Sequence, residues 1–399
     1  GGPFGRMHVD RVLETPDQYR KPDGRHRTAY RQKQRLTAAM GGSQEQFDQL
    51  RLIRSPNIGP VSYRQLMGRF GNAKAALEAL PDLVRRGGGV SSLLADEASV
   101  ARELQFVEKF GGRHIFIGDP EYPSLLSHLD NAPPVLSVKG DLGLLNRVAI
   151  SIVGARNASA GACQFARQLA YDLGQMEFPV VSGLARGIDT AAHAGSIESG
   201  TIAVIAGGLD VVYPPENKAP QDAIAERGLL IAEQPPGTEP RARHFPYRNR
   251  IIAGISAGTV VVEAAPKSGS LITARLAAEA GREVMAIPGS PLDPRSRGCN
   301  QLIREGATLV QNAEEIAELV RLLDHRMRAA PARYVASEPA TIGDGTDGER
   351  QAVIDLMGMT YVSVDELVRQ SGSSQANVQM VLLEMELAGK LERGAGGKV

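Results

Sequence analysis

Between Arg147 and Leu323 the chain alternates, without a break, between short apolar runs and segments of helical periodicity. The runs "RVAISIVG", "PVVSG", "TIAVIAGG", "LLIAEQ", "GTVVVEA" and "REVMAIPG" are continuously apolar. Strands covered on both faces read this way, whereas half-exposed strands alternate apolar and polar residues. Between them lie "SAGACQFARQLAYDLGQM", "GIDTAAHAGSIESG", "APQDAIAERG", "YRNRIIAGIS" and "SLITARLAAEAG", each of helical character. Parallel strands joined by helical crossovers satisfy both facts. The expected fold class is therefore α/β, a doubly wound, extended Rossmann-like and mostly parallel sheet.

The flanks read differently. Residues 1–43 are polar and aperiodic and are expected to be a disordered extension. Residues 44–110 carry a helical pattern, with "EQFDQLRLIRS", "PNIGPVSYRQLMGRFG" and "AKAALEALPDLVRRGGG" forming a small helical domain. Residues 111–146 form a proline-containing connector that packs on the core, with "PVLSVKG" as a short strand. The core spans 147–325. Residues 326–348 are rich in Pro, Ala and Gly and read as a linker. Residues 349–399 regain helical periodicity in "ERQAVIDLMG", "SVDELVRQSG" and "SQANVQMVLLEMELAGKL", followed by a short hairpin. This is the winged-helix plan, with Ser374 as cap of the third helix.

The formal net charge is zero over 399 residues, so no global field draws the chain to an anionic partner, and a local patch must hold one. The two cysteines, Cys163 and Cys299, have no metal-ligand spacing and fit a reducing compartment. No apolar run reaches the roughly 18–20 residues that span a bilayer. The expectation is a cytoplasmic protein with no membrane partner, no metal and no cofactor.

In a doubly wound sheet, ligands gather beyond the carboxyl ends of the strands. The first strand is followed by "GARNASAG", where Gly154 permits close backbone approach and Arg156 offers a fork matched to phosphate. The alternative is a plain turn with a surface arginine. The spacing G-x-G-x-x-G is absent, and no acid ends the second strand to grip a ribose. After the second strand, Gly183, Arg186 and Gly187 suggest a second cradle of backbone amides. Asp189 and His193, four apart, form either an acid–base pair or structural hydrogen bonds near the helix start. After the third, Lys218 is either part of the same rim or solvated charge. After the fifth, Lys267, Ser268, Gly269 and Ser270 open a helix in the form of an anion site. Arg295 and Arg297 follow the sixth, extending the rim or lying on loop surface.

The stretch "RARHFPYRNR", residues 241–250, concentrates four arginines and two aromatic rings in a chain that is 5% aromatic. Arg248 and Arg250 are expected in the first turn of a helix, where cations are unfavourable and an anionic ligand resolves the conflict. Asn249 lies between them. Phe245 supplies a face for base stacking. The competing reading has the rings in the core and an arginine paired with Glu263.

Taken together, "VGAR", "VVSGLARGIDTAAH", "GGLDVVYP", "FPYRNRIIAGIS", "VVVEA", "KSGSLITARLAAEAGREVMAIPG" and "GCNQLIREGA" resemble the DNA-processing DprA (Smf) family, in order, across essentially all of 147–310. The helical N-terminal region resembles a SAM or helix-hairpin-helix module, in which "NIGP" either offers amides to a phosphate or only packs. The resemblance implies a non-catalytic, dimeric core that binds single-stranded DNA. It also implies loading of the RecA recombinase onto DNA covered by single-strand binding protein, during natural transformation. By motif match it implies that Arg156 and the "FPYRNR" arginines hold phosphates, with Lys218, Gly183 and the "KSGS" backbone completing the pocket. Ala155 departs from the serine common in the family. The competing class is a nucleotide-cleaving enzyme of the phosphoribohydrolase type. It requires a glutamate beside the late glycine-rich loop, and here Glu279 is ten residues on. A third class is a scaffold acting through the winged helix, whose third helix carries Glu384 and Glu386 against a single Lys390, a poor footprint for DNA.

Overall fold

The computed structural model describes residues 43–90, 94–329, 346–358, 360–394 and 398–399. Residues 1–42 of the expected extension and 330–345 of the expected linker lie outside the described residues. Residues 45–399 form one unit.

The helical region contains α1 (Gln44–Arg54), α2 (Pro60–Phe70), α3 (Ala73–Arg86) and α4 (Glu97–Lys109). Asn72 caps α3 by accepting from the Ala75 amide at 2.9 Å, and Asp96 caps α4 by accepting from Ser99 at 2.9 Å. The connector then adds β1 (Arg113–Phe116), the single turn α5 (Ser124–Ser127) and β2 (Val135–Gly140). The core proper runs β3 (Ile150–Gly154), α6 (Ala160–Gln175), β4 (Val180–Ser182), α7 (Ile188–Ser196), β5 (Thr201–Ile205), α8 (Lys218–Arg227) and β6 (Leu229–Ala232). It continues with α9 (His244–Ile255), β7 (Gly258–Val262), α10 (Gly269–Glu279), β8 (Glu283–Ala286), α11 (Arg297–Arg304), β9 (Thr308–Leu309) and α12 (Ala313–Ala329). Helix α12 thus runs past residue 326, where the linker was expected to begin. The tail holds α13 (Asp347–Asp355), α14 (Val364–Ser371) and α15 (Gln375–Leu387).

One nine-stranded sheet organises the core, in the order β1-β2-β6-β5-β4-β3-β7-β8-β9. From β6 to β9 every pairing is parallel; β1 and β2 extend one edge as antiparallel strands. The continuous apolar runs are explained by burial on both faces. Ile150, Ile152, Val180, Val260 and Val262 pack with Leu169 and Leu173 of α6 and with Ile316 and Val320 of α12. Val153, Val181, Ile202, Val204 and Val261 pack on the other face with Ile251, Ile252 and Ile255 of α9. Each fully buried Val or Ile contributes about 1.5–3 kcal/mol from apolar surface removed from water.

The chain winds outward from β3 through β4 and β5 to β6. It then returns to place β7 on the other side of β3. This reversal leaves a crevice beyond the carboxyl ends of β3 and β7, where ligands bind in open α/β sheets.

The tail is a winged helix with its own small core of Val353, Leu367, Val378, Val381 and Leu382. Ser374 caps α15, its hydroxyl accepting from the Asn377 amide at 3.2 Å. Among the described residues of the wing, Val362 and Val399 exchange backbone hydrogen bonds at 2.9 Å in both directions, and the Gly394 amide donates to the Lys398 carbonyl at 2.9 Å.

Candidate nucleic-acid interface

The two walls of the crevice are fastened together at its base. Helix α6 begins at Ser159, whose hydroxyl accepts from the Ala162 amide at 3.1 Å. The Glu263 carboxylate, just past β7, accepts from the Ser159 amide at 2.8 Å and from its hydroxyl at 2.7 Å. Glu263 therefore serves the start of α6 and not an arginine of the 241–250 stretch. A Cβ on Gly154 would lie 1.9 Å from the Val262 carbonyl oxygen, so this glycine lets β3 and β7 close on one another.

Above the base lie two adjoining hollows. One, of about 250 Å³, is lined by Arg156, Gly183, Arg186, Tyr213, Phe245 and Arg248, with apolar surface from Ile205, Ala206, Val211 and Pro240. The other, of about 490 Å³, is lined by Gly154, Arg156, Phe245, Arg248, Asn249, Lys267, Ser268, Gly269, Ser270 and Arg295. Arg156, Asn157, Ala185, Phe245 and Arg248 belong to both. Arg156 is exposed, its guanidinium carbon lies 5.2 Å from the Phe245 ring centroid, and it enters no ion pair among the described residues. The Tyr213 ring stands 5.8 Å from Phe245 at a 57° tilt. The combined cleft has a cationic rim with an aromatic pair beside it.

Arg248 is the buried member of the cluster. Its Nη1 donates to the Val204 carbonyl at 3.2 Å, while its buried Nε has no hydrogen-bond partner among the described residues. Burial lowers its pKa to about 10; Asp189 opposes the shift and Arg156 adds to it. The position of the guanidinium depends on Gly183, where a Cβ would stand 1.3 Å from Nη1. This glycine makes room for a side chain, and its amide donates to Asp189 at 3.1 Å. Asp189 also accepts from the Ala185 amide at 3.3 Å, and burial raises its pKa despite the nearby Arg248 charge. His193 does not pair with Asp189. Its Nδ1 lies 2.7 Å from the Thr201 hydroxyl, and burial, helped by Arg248, pushes its pKa down to about 3. Asp189 and His193 are structural supports of the floor.

On the far wall, Ser268 caps α10, and its hydroxyl lies 2.8 Å from that of Ser270. Lys267, exposed with φ 70°, precedes it. The Asn249 side-chain amide donates to the Gly269 carbonyl at 3.4 Å and ties α9 to this loop.

Four expected residues, Arg248, Arg250, Lys218 and Arg186, stand differently. Helix α9 starts at His244, so Arg248 and Arg250 fall beyond its first turn and the expected conflict with the helix dipole does not arise. Arg250 points away from the cleft: its side chain is 4% exposed, pairs with Glu233 at 2.5 Å and donates to the Asn131 carbonyl. It joins α9 to the connector and to the end of β6, which is a fold contact. Lys218 begins α8, is 71% exposed, pairs with Asp222 at 2.8 Å and lines neither hollow. Arg186 does line the cleft, but is already paired with Glu216. Arg241 and Arg243 are exposed beside His244 and line neither hollow.

Tyr213 was not singled out by sequence reasoning, although it sits in the "GGLDVVYP" motif. Its signal is an exposed ring directly before a Pro-Pro turn at a strand end. Asn157 was missed as well, and nothing in its immediate sequence marks it.

Among the described residues Asp189 is the one carboxylate lining the cleft, and it is occupied by backbone amides. Glu263 is held by Ser159, and Glu279 pairs with Arg275 at 3.5 Å on the outer surface of α10. Among the described residues no glutamate lines either hollow.

Fold and cleft together define a doubly wound α/β protein with a cationic, aromatic groove at its switch point, flanked by two small helical modules. The family model for DNA recombination-mediator protein A matches residues 113–321, and the chain belongs to that family. A DprA-like N-terminal HHH domain matches 43–105 and a DprA winged helix domain matches 336–397. The chain is 45% identical to the DNA processing protein DprA of Streptococcus pneumoniae over 223 residues, 55% of this chain and 77% of that one. It is 36% identical to a putative DNA processing protein DprA of Mycobacterium tuberculosis over 337 residues, 78% of this chain and 84% of that one. The X-ray structure of the S. pneumoniae protein superposes with a TM-score of 0.54 at 40% identity, covering 62% of this chain and 82% of that one.

Proposed function

We propose that the cleft binds single-stranded DNA and that the chain, as a homodimer in the cytoplasm, places the RecA recombinase on strands covered by single-strand binding protein. The observation that carries this reading is the side-by-side placement of an unpaired rim arginine, Arg156, and the half-buried ring of Phe245. A phosphate on Arg156 leaves its own base within reach of the Phe245–Tyr213 pair. Base–aromatic stacking contributes about 1–3 kcal/mol per base without demanding a particular sequence. Lys267 and the start of α10 supply a second cationic position across the crevice. The mediator role rests on membership of a recombination-mediator family. The homodimer is carried over from the family resemblance of the 147–310 motifs.

Gel-shift titrations of single- and double-stranded oligonucleotides across a salt series test the reading. Single strands should bind more tightly, with affinity falling as salt rises. Arg156→Ala should weaken binding about tenfold and reduce the log–log salt slope by about 0.7, the value for one phosphate contact on a single strand. A variant with parental affinity and slope would remove Arg156 from the interface.

A further inference from the structure

The third helix of a winged helix is the element that enters the major groove in DNA-binding members of the fold. Here that helix, α15, is covered. Met380, Leu383 and Leu387 share one apolar cluster with Leu66 of α2 and with Leu80 and Val84 of α3. Polar contacts surround the cluster. The Asn57 side-chain amide, in the turn before α2, donates to the Leu387 carbonyl at 3.2 Å, Gln65 donates to Gln379 at 2.9 Å, and Arg350 donates to the Arg86 carbonyl at 2.6 Å. Glu384 is fully buried, ion-paired with Arg350 of the tail and 3.9 Å from Arg86 of the helical domain. The backbones touch as well. A Cβ on Gly87, just past α3, would stand 2.0 Å from the Glu384 carbonyl oxygen and 2.9 Å from the Ala388 Cβ.

The sequence of α15 agrees with this use. "QANVQMVLLEMEL" contains no lysine or arginine, and a groove-reading helix needs cations to approach phosphate. Its one buried charge is an acid matched by arginines on both sides of the contact.

We infer that α15 is a protein-docking helix whose partner is this chain's own N-terminal helical domain, so that the winged helix works as an internal latch and not as a reader of duplex DNA. The same contact reaches the turn before α2, where the side chain of Asn57, itself exposed, is engaged by the end of α15. The winged helix therefore turns its recognition helix into the N-terminal domain, and nucleic acid is left to the central cleft.

The full-length chain with Gln65→Cys and Gln379→Cys, in a Cys163→Ser background, tests this with a short bis-maleimide cross-linker. Most chains should form a bridge within one molecule, and bridged and unbridged protein should bind duplex and single-stranded oligonucleotides within twofold of each other. Gly87→Ala is the opening variant. Gly87 has φ −69°, which alanine adopts freely, so the added methyl wedges the contact without straining either module's own core. It should slow bridging at least tenfold while leaving single-strand affinity unchanged. Three results would overturn the inference: bridges only between molecules, a parental bridging rate in Gly87→Ala, or a loss of duplex affinity of tenfold or more on bridging. The last would mean that α15 reads DNA when free.

Discussion

Replacing Gly183 with alanine tests how the cleft is built. The backbone of Gly183 lies outside the left-handed region, so alanine brings no conformational strain. Its methyl carbon, however, would stand 1.3 Å from Nη1 and 2.4 Å from Cζ of Arg248. An ordinary contact is about 3.5–4 Å, so the guanidinium must move by about 2 Å or more. The move removes the hydrogen bond to the Val204 carbonyl, now 3.2 Å. It also withdraws the positive charge that compensates buried Asp189. A buried acceptor left unpaired costs about 1–3 kcal/mol, and a buried charge left without its partner about 3–5 kcal/mol. Asp189 keeps its two amide donors, so the expected destabilisation is about 3 kcal/mol. Urea denaturation gives the stability, and a double-mutant cycle with Arg248→Ala gives the mechanism. In the Arg248→Ala background the added methyl meets no guanidinium, so Gly183→Ala should then cost less than about 0.5 kcal/mol. If Gly183→Ala costs the same in both backgrounds, the glycine is not there to admit Arg248 and the account of the cleft floor is wrong. A parental melt and parental DNA affinity in the single variant would have the same force.

Two further outcomes follow from the buried groups. Arg250→Ala should lower stability by about 3–5 kcal/mol, because Glu233 loses its buried partner, while leaving the salt slope of DNA binding unchanged; a smaller slope in a folded variant would return Arg250 to the interface. His193 gives the fold an acid-sensitive element: below about pH 6.5 the unfolded chain gains a proton on His193 that the folded chain refuses until near pH 3. Its contribution is complete above pH 6.5 and is lost as pH falls toward 3, by about 2 kcal/mol at pH 5. Urea melts of His193→Gln at pH 7 and pH 5 should show that difference shrink, and an undiminished difference would assign the sensitivity elsewhere.

The sheet was legible because burial on both faces leaves a continuous apolar signature that local turns punctuate. Strand β1 was not, since "RHIF" opens with two polar residues and becomes a strand only by pairing with β2. Cleft loops could be located by counting strand ends, and Arg156, Phe245, Arg248 and the 267–270 loop do meet there. What the sequence does not carry is which charges already have partners. Arg248 and Arg250 are two residues apart and look alike in one dimension. Helix geometry sends one toward the cleft and the other toward Glu233, which is 17 residues away along the chain. Gly183 likewise read as an amide cradle, and its greater role, yielding space to a side chain 65 positions later, appears only in three dimensions. Chemical type and approximate location are local properties; pairing and direction are not.

Glu263, fastened to Ser159 across the base of the crevice, has a kinetic consequence. If the groove binds a strand as proposed, the loops after β3 and β7 are already joined when it arrives and have little order left to acquire on association. Capture is then governed by diffusion and by the attraction of the rim, and its rate should vary little from one strand to another. Differences in affinity between strands should appear in how long each remains bound.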